Sequence, residues 1–271
     1  MTDVLAYSYM QRALVAAFLI GGVCAVIGVY VVLKGLSFIG AGISHASFGG
    51  VAIGVALGVN PVVTAIVFCQ LVALAIGYVS RRGNIKEDTA VGIFFASTMA
   101  LGVLLVGLMR GYQVDLMGYL FGSIISVTRQ DLWTMLIVSA LVLVLVAVFY
   151  KDLLFVVFDS EMAHVTGLPA DRLFQLLLSI MALVIVASIK VVGIVLVSAL
   201  IVIPPAAALQ LTESFHKAMG LSALIGVGSC VIGLFVSDYL GVSPGAAIVL
   251  LATAVFVAST FFSPLRRCSV G

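Results

Sequence analysis

A long stretch without charge constrains this chain most, because residues 35–80 contain no Asp, Glu, Lys or Arg. A helix needs about 20 apolar residues to cross the hydrocarbon of a bilayer, so this stretch is long enough for two crossings. Asn60 and Pro61 mark the break between them, since a proline and the residue before it oppose helix continuation. Further uncharged runs lie at residues 13–33, 89–109, 132–150, 173–189, 191–212, 218–237 and 239–265. Together the runs predict about nine membrane-spanning helices, with eight as the lower count.

The composition excludes a soluble globule. Hydrophobic residues make up 63% of the chain and charged residues 9%, so too few polar side chains are present to cover a water-facing surface. We therefore predict an all-α, polytopic membrane protein in which residues 1–271 form one transmembrane domain, with residues 116–127 able to re-enter the membrane without crossing it. The four cysteines have no paired spacing, which indicates neither a disulfide framework nor a thiolate metal site. The net charge of +2 reflects basic residues at the ends of spans and gives no signal for nucleic acid.

The basic residues predict the orientation of the chain. With an external N-terminus, nine of the 13 lysines and arginines fall on the cytoplasmic side, and the reverse topology inverts that ratio. We therefore expect an external N-terminus and a cytoplasmic C-terminus. The residues expected on the cytoplasmic side are Lys34, Arg81, Arg82, Lys86, Lys151, Arg172, Lys217, Arg266 and Arg267.

His45 is the one histidine of the long uncharged stretch, and its side chain is the one there that ordinarily titrates near neutral pH. An ionisable side chain at mid-bilayer depth is costly, so it usually faces a protein interior or a solute path rather than lipid. His45 is therefore a candidate functional residue. The alternative interpretation is a buried histidine bonded to a backbone carbonyl or to a serine such as Ser44.

Residues 151–172 form the longest charged segment between two spans and predict a short helix. Asp159 or Ser160 can cap its start, Glu161 suits its first turn, and Gly167 with the following Pro169 ends it. Such a helix, about two turns long, is too short to be stable alone in water. From the residues alone it is either a docking element for a cytoplasmic partner or an ordinary loop with a helical turn.

Glycines and prolines suggest how the helices pack. Gly50, Gly54 and Gly58 are spaced four apart in the second span and predict a stripe along which another backbone can approach closely. Pro204 and Pro205 interrupt the hydrogen bonding of their span. Helix termination at this pair is the favoured interpretation, and a gating hinge is the alternative.

Five separated segments of the chain resemble, in order, the permease subunits of zinc and manganese ATP-binding cassette (ABC) importers. In the first, small residues lead into a Ser-His-Ala sequence at His45. The segments are GLSFIGAGISHASFGG at residues 35–50, VDLMGYLFGSIISVTRQDL at 114–132, DSEMAHVTGLPADR at 159–172, VVGIVLVSALIVIPPAAA at 191–208 and SDYLGVSPGAAIVL at 237–250.

The resemblance implies a non-catalytic, all-helical permease of the bacterial cytoplasmic (inner) membrane that pairs with a second copy of itself. Two ATPase subunits would dock on its cytoplasmic face, through a coupling helix at residues 159–167 in which Asp159, Glu161 and Gly167 are the candidate residues. A periplasmic or lipoprotein solute-binding protein would deliver the metal. No lysine follows a glycine in this chain, so a phosphate-binding loop is absent and ATP hydrolysis is expected on another chain.

The metal path departs from the family pattern at one position. Many members place an aspartate four residues before the histidine, where both side chains share one helix face, but this chain has Ala41 there. One imidazole alone binds a metal weakly, since zinc normally takes three or four ligands. The second His45 of a symmetric pair and the carboxylate of Asp238 could complete the site, and Asp115 is a weaker candidate. A site with few ligands also suits an ion in transit.

We therefore expect a transporter that moves a divalent transition metal by alternating access. Zinc is the expected ion because HASFGG looks closer to the zinc permeases, and manganese or iron(II) is the alternative. Outside the family, a gradient-driven secondary transporter would need more buried ionisable groups, and an intramembrane enzyme would need a nucleophile or a complete catalytic metal site. No cofactor is expected beyond the transported ion.

Overall fold

The structure is a computed structural model that describes residues 7–83, 85–109, 116–123 and 126–263. These residues form helices and connecting turns, and no strand occurs among them, which confirms the predicted all-α class. The helices, in chain order, are α1 (Ser8–Lys34), α2 (Ser37–Ala56), α3 (Pro61–Arg82), α4 (Glu87–Leu108), α5 (Leu116–Phe121), α6 (Arg129–Val148), α7 (Tyr150–Phe158), α8 (Ser160–Val165), α9 (Ala170–Val192), α10 (Ile194–Leu211), α11 (Phe215–Leu240) and α12 (Pro244–Phe261).

Nine of these helices in the described part of the chain are long and apolar enough to cross a bilayer, as the uncharged runs predict. They are α1, α2, α3, α4, α6, α9, α10, α11 and α12. The predicted break between the second and third spans lies where expected, because the Asn60 side chain accepts a hydrogen bond from Val62 N and Pro61 opens α3. Helix α5 has six residues, too few to cross the hydrocarbon.

Most successive spans are joined by short connections, and the spans alternate in direction. Gly193 alone joins α9 to α10, at a φ of +91° that side chains rarely adopt, so glycine is required at this reversal. The alternation sorts the helix termini into two groups. We call the end of the bundle that holds Lys34 the Lys34 end, and the end that holds Asp238 the Asp238 end.

Helices α1, α2 and α9 form the centre of the bundle. Their best spanning windows are 67%, 72% and 72% buried within the chain, against 17% for α4, which lies at the periphery. Helix α2 contacts α3, α4, α9 and α10. The helix that carries His45 is therefore enclosed largely by protein.

Small residues allow the close approach of α2 to its neighbours. A Cβ added at Gly50 would lie 2.7 Å from Ala65 Cα, and one added at Gly54 would lie 2.7 Å from Pro61 Cα. These contacts join backbone to backbone, so no side chain can move aside to make room. Glycine at both positions sets the distance between α2 and α3.

The predicted glycine stripe is wrong at its third member. Helix α2 ends at Ala56, and Gly58 lies in the turn beyond it with a φ of +68°. The Gly58 N–H donates to Val55 O and the Val59 N–H donates to Gly54 O, which closes the last turn of the helix. Gly58 therefore ends the helix rather than packing along it.

The expectation that Pro204 and Pro205 end their helix is also wrong. Helix α10 continues through both prolines to Leu211. Pro205 has no N–H to donate to Ile201 O, and this free carbonyl faces Gly28 of α1, where an added Cβ would lie 2.0 Å from it. Close packing against α1 compensates for the interrupted hydrogen bonding, as neighbouring helices allow in membrane bundles.

The glycine contacts between α2 and α3 predict an effect on stability. Gly50→Ala should lower the free energy of unfolding by about 1–3 kcal/mol, because the new methyl group forces the two backbones apart. Denaturation in detergent followed by circular dichroism measures the change. Gly92→Ala is the matched control, since an added Cβ there meets no atom within 4 Å. Equal stability of both variants would contradict this account of the packing.

Candidate functional site

His45 lies near the middle of α2, half-buried, with one ring nitrogen already bonded. Its Nδ1 is 2.9 Å from the carbonyl oxygen of Ala41, one turn earlier. A carbonyl oxygen can only accept a hydrogen bond, so Nδ1 carries the proton in the neutral ring and donates it. The other nitrogen, Nε2, then has a free lone pair, which is the arrangement that metal-binding histidines use.

The ring of His45 is held from a second direction by α4. Its centroid is 4.9 Å from that of Phe95, with the two planes inclined at 67°, an edge-to-face contact. The hydrogen bond to Ala41 and this contact with Phe95 fix the orientation of the imidazole. The backbone carbonyl of residue 41 thus positions the histidine, while the alanine side chain there supplies no ligand.

The serines beside His45 do not bond its ring. Ser44 donates its hydroxyl to Ile194 O of α10, and Ser47 donates to Ser44 O within α2. The alternative that paired His45 with Ser44 is therefore not observed, whereas a backbone carbonyl does bond it. Within the described residues, no group of three or more His, Cys, Asp or Glu side chains could hold a metal ion together. A single described chain presents one imidazole at this depth.

Asp238 lies in the last turn of α11, exposed at the Asp238 end of the bundle. Its carboxylate accepts a hydrogen bond of 3.3 Å from the Tyr9 hydroxyl. Together with Ser123 and Pro244, these two residues line a cavity of about 300 Å³. Among the described residues α2 and α11 make no contact with each other, so one chain does not bring Asp238 against His45.

An ion pair that the sequence analysis did not single out holds the Asp238 end together. Lys190 Nζ of α9 lies 2.7 Å from Asp131 Oδ1 of α6, and the Asp131 side chain also completes a capping box with Thr128. The backbone N–H of Ser123, beyond α5, donates to Lys190 O. The Thr-x-x-Asp pattern could have predicted the cap but not its partner. Asp115 lies outside the described residues.

The predicted short helix between spans is present as α8, at the Lys34 end. The Asp159 side chain accepts hydrogen bonds from the N–H groups of Glu161 and Met162, and Gly167 follows the helix with a φ of +83°. Asp159 is therefore an N-cap and Gly167 a chain reversal, while Glu161 is exposed in the first turn. The preceding helix α7 was not predicted.

Apolar side chains of this segment lie exposed on the surface of the chain. Phe158, Met162 and Val165 are 65%, 51% and 80% exposed. The underside of the segment is packed, because Ala163 of α8 is fully buried against Val156 and Leu173. Exposed large apolar groups on a short, well-seated helix are typical of a docking surface. The residues predicted for docking, Asp159, Glu161 and Gly167, include none of these apolar side chains.

The other two histidines lie at the Lys34 end. His164 Nε2 is 3.6 Å from the carboxylate of Asp171, and His216 Nε2 is 3.0 Å from the Tyr150 hydroxyl. Partial burial raises the pKa of Tyr150 above its ordinary value, so this phenol stays protonated at neutral pH. The structure thus gives both histidines local partners near the helix ends, away from the middle of α2, where His45 lies.

Three of the four cysteines are buried and free. Cys24, Cys69 and Cys230 lie within α1, α3 and α11, and burial accounts for each of them as a packing residue. Cys268 lies outside the described residues.

Among the described residues, nine helices long and apolar enough to cross a bilayer enclose a half-buried histidine, which defines a polytopic membrane protein with an ionisable side chain inside its bundle. The chain belongs to the ABC 3 transport family, whose model matches residues 6–263. It is the permease subunit of a metal ABC transporter, as the five segments indicate.

Individual relatives match along almost the whole chain. This chain is 42% identical to the manganese transport system membrane protein MntC of Halalkalibacterium halodurans, and the match covers 97% of this chain and 90% of that protein. It is 36% identical to the manganese import system permease protein ScaB of Streptococcus gordonii, covering 96% and 94%. The solved structure of PsaBC from Streptococcus pneumoniae in complex with Fab contains a chain that is 36% identical, with a TM-score of 0.88 and coverage of 98% and 96%.

Proposed function

We propose that this chain is the permease subunit of an ATP-driven importer of manganese(II), located in the bacterial cytoplasmic membrane. The observation that carries the proposal is the imidazole of His45, oriented by the Ala41 carbonyl so that Nε2 is free to bind a metal inside the bundle. The MntC and ScaB relatives, both named as manganese transport proteins, support the choice of ion.

Zinc, the ion expected from the sequence, is not confirmed, and the manganese alternative is the better supported of the two. Ligand chemistry agrees with this preference. Zinc favours a closed set of nitrogen and sulfur ligands, whereas manganese is well served by carboxylate, carbonyl and water oxygens. His45 and Asp238 do not meet within one chain, so each offers the ion a single imidazole or carboxylate that water must complete, and the buried thiols serve packing elsewhere.

Transport proceeds by alternating access between two copies of this chain. A symmetric pair brings two His45 side chains toward a shared axis, and water supplies the remaining ligands of a transient site. Asp238, at the external mouth, attracts the cation delivered by a periplasmic or lipoprotein solute-binding protein. A site with so few protein ligands releases its ion readily, as conduction requires.

Energy for the cycle comes from two ABC ATPase subunits on the cytoplasmic face. The exposed apolar side chains of α7 and α8 support docking of an ATPase at the Lys34 end. The N-cap of Asp159 keeps α8 folded, Glu161 faces the partner, and Gly167 returns the chain to α9. With the docking face in the cytoplasm, the N-terminus is external and the C-terminus cytoplasmic. Residues 151–172 thus act as the coupling segment.

Uptake by the assembled transporter tests the function. Vesicles that contain the permease, its ATPase and its solute-binding protein should take up manganese(II) in an ATP-dependent manner, and faster than zinc(II) or iron(II). His45→Gln should reduce uptake at least about tenfold, because the nitrogen that binds the ion is lost.

The control is His216→Gln, which removes the same type of side chain at the Lys34 end and should transport normally. Uptake unaffected by His45→Gln would remove this histidine from the pathway. Preferential uptake of zinc would restore the original choice of ion.

Docking of the ATPase gives a second prediction. Val165→Asp should weaken copurification of the ATPase about tenfold or more, because a carboxylate would be buried in an apolar interface. Val59→Asp places the same charge on an exposed apolar residue at the Asp238 end and should leave the complex intact. Equal ATPase recovery with both variants, or loss with Val59→Asp only, would contradict the assigned docking face.

A further inference from the structure

A three-residue contact joins the coupling segment to α3. Arg81, in the last turn of α3, places Nη1 3.5 Å from Oδ1 of Asp171, in the first turn of α9. The same carboxylate oxygen lies 3.6 Å from Nε2 of His164, in the last turn of α8. The guanidinium of Arg81 also lies 4.6 Å above the ring of Phe174, which is fully buried in α9. The end of α3 is thus attached to α9 by two interactions.

We propose that Arg81 and Asp171 are positioning residues that transmit movement of the coupling segment to α3 and, through α3, to His45. The proposal rests on the proposed function, since it concerns how ATP-driven movement of α8 reaches the metal path. It assigns the pair a role in coupling rather than in stability. Neither residue touches the ion.

The route from α3 to His45 is a rigid one. Gly50 and Gly54 bring α2 into backbone contact with Ala65 and Pro61 of α3, so the two helices cannot slide past each other without a clash. His45 lies between these glycines and the Lys34 end of α2. A displacement at the Arg81 end of α3 is therefore passed to the helix that carries the imidazole.

The coupling segment is also attached to α1, which has little contact with the helix that carries His45. Lys34, at the end of α1, donates a hydrogen bond of 3.0 Å from Nζ to Val156 O of α7. Helix α1 packs mainly against α11 and α10 and only slightly against α2. The Arg81–Asp171 contact is therefore a polar link from the coupling segment toward His45, and the hydrogen bond of 2.8 Å from Gln70 Nε2 to Ser179 O joins α3 to α9 beyond that segment.

The exposure of the pair separates coupling from folding. The side chains of Arg81 and Asp171 are 28% and 56% exposed, and ion pairs this open to water add little to stability. Breaking the pair should leave the bundle folded and the ATPase docked. Its effect should appear in the amount of metal moved for each ATP hydrolysed.

Arg82 supplies a matched control one residue along the same helix. Its guanidinium lies 5.4 Å from the ring of Tyr78 and 3.4 Å from the hydroxyl of the same residue, both contacts within α3. Arg81→Gln and Arg82→Gln therefore remove the same charge from the same helix end. Of the two changes, Arg81→Gln breaks a side-chain contact between α3 and α9, whereas the contacts of Arg82 named above stay within α3.

The test measures manganese(II) uptake and ATP hydrolysis together in vesicles that contain the complete transporter. Arg81→Gln and Asp171→Asn should each lower the ratio of manganese to ATP by roughly three- to tenfold, with ATPase copurification unchanged. The double variant should lower it no further than either single variant, because both changes break one link. Arg81→Lys should recover part of the ratio, and Arg82→Gln should match the wild type.

Two different results would overturn the proposal and can be told apart. If the wild-type complex transports manganese and Arg81→Gln is coupled as well as Arg82→Gln, the proposed link is refuted while the proposed function stands. If the wild-type complex hydrolyses ATP without moving metal, the proposed function fails and the link fails with it. Additive losses in the double variant would also refute a shared link.

Discussion

Close backbone contact between α2 and its neighbours is the constraint on which the rest of the structure depends. In a bilayer, helices gain little from burying apolar side chains, since lipid is equally apolar, and association relies on close packing. Glycines at positions 49, 50 and 54 let α3 and α4 approach α2 within backbone distance. This contact fixes the position of α2 and with it the depth of His45. It also makes α2 and α3 one mechanical unit.

In the proposed function each chain offers the ion a single imidazole, which two contacts hold in place. A carbonyl of the same helix, that of Ala41, sets the tautomer, and Phe95 of α4 restricts the ring. These contacts orient the imidazole for metal binding without adding a second ligand. Binding therefore stays weak enough for release. Ala41 adds no carboxylate beside the ring, so the imidazole is the one side-chain ligand that this turn of α2 offers.

Much of the fold could be predicted because bilayer thickness translates directly into helix length. The uncharged runs locate nine spans, and Asn60 with Pro61 marks a break for local chemical reasons. The predictions from sequence were wrong where tertiary packing decided where a helix ends. Pro204 and Pro205 stay within a helix because α1 packs against the freed carbonyl, and Gly58 ends a helix whose length only the structure defines.

The candidate site could be located in part from the sequence, and its role stays a prediction. His45 stands out because ionisable residues are rare at that depth, and the cap of α8 is encoded in adjacent residues. Partners distant in sequence gave no local signal, as with Lys190 and Asp131 or Arg81 and Asp171. The exposed Val165 was missed because a sequence does not show which side of a short helix faces its neighbours.

Direct detection of the metal–nitrogen bond tests the central claim most directly. The complete transporter would be loaded with manganese(II), trapped during turnover, and studied by pulsed electron paramagnetic resonance, with ¹⁵N incorporated at histidine. We expect a hyperfine coupling from a directly bound imidazole nitrogen that disappears in the His45→Gln complex. Bound manganese with oxygen ligands alone, or a nitrogen signal that persists in that variant, would contradict the account.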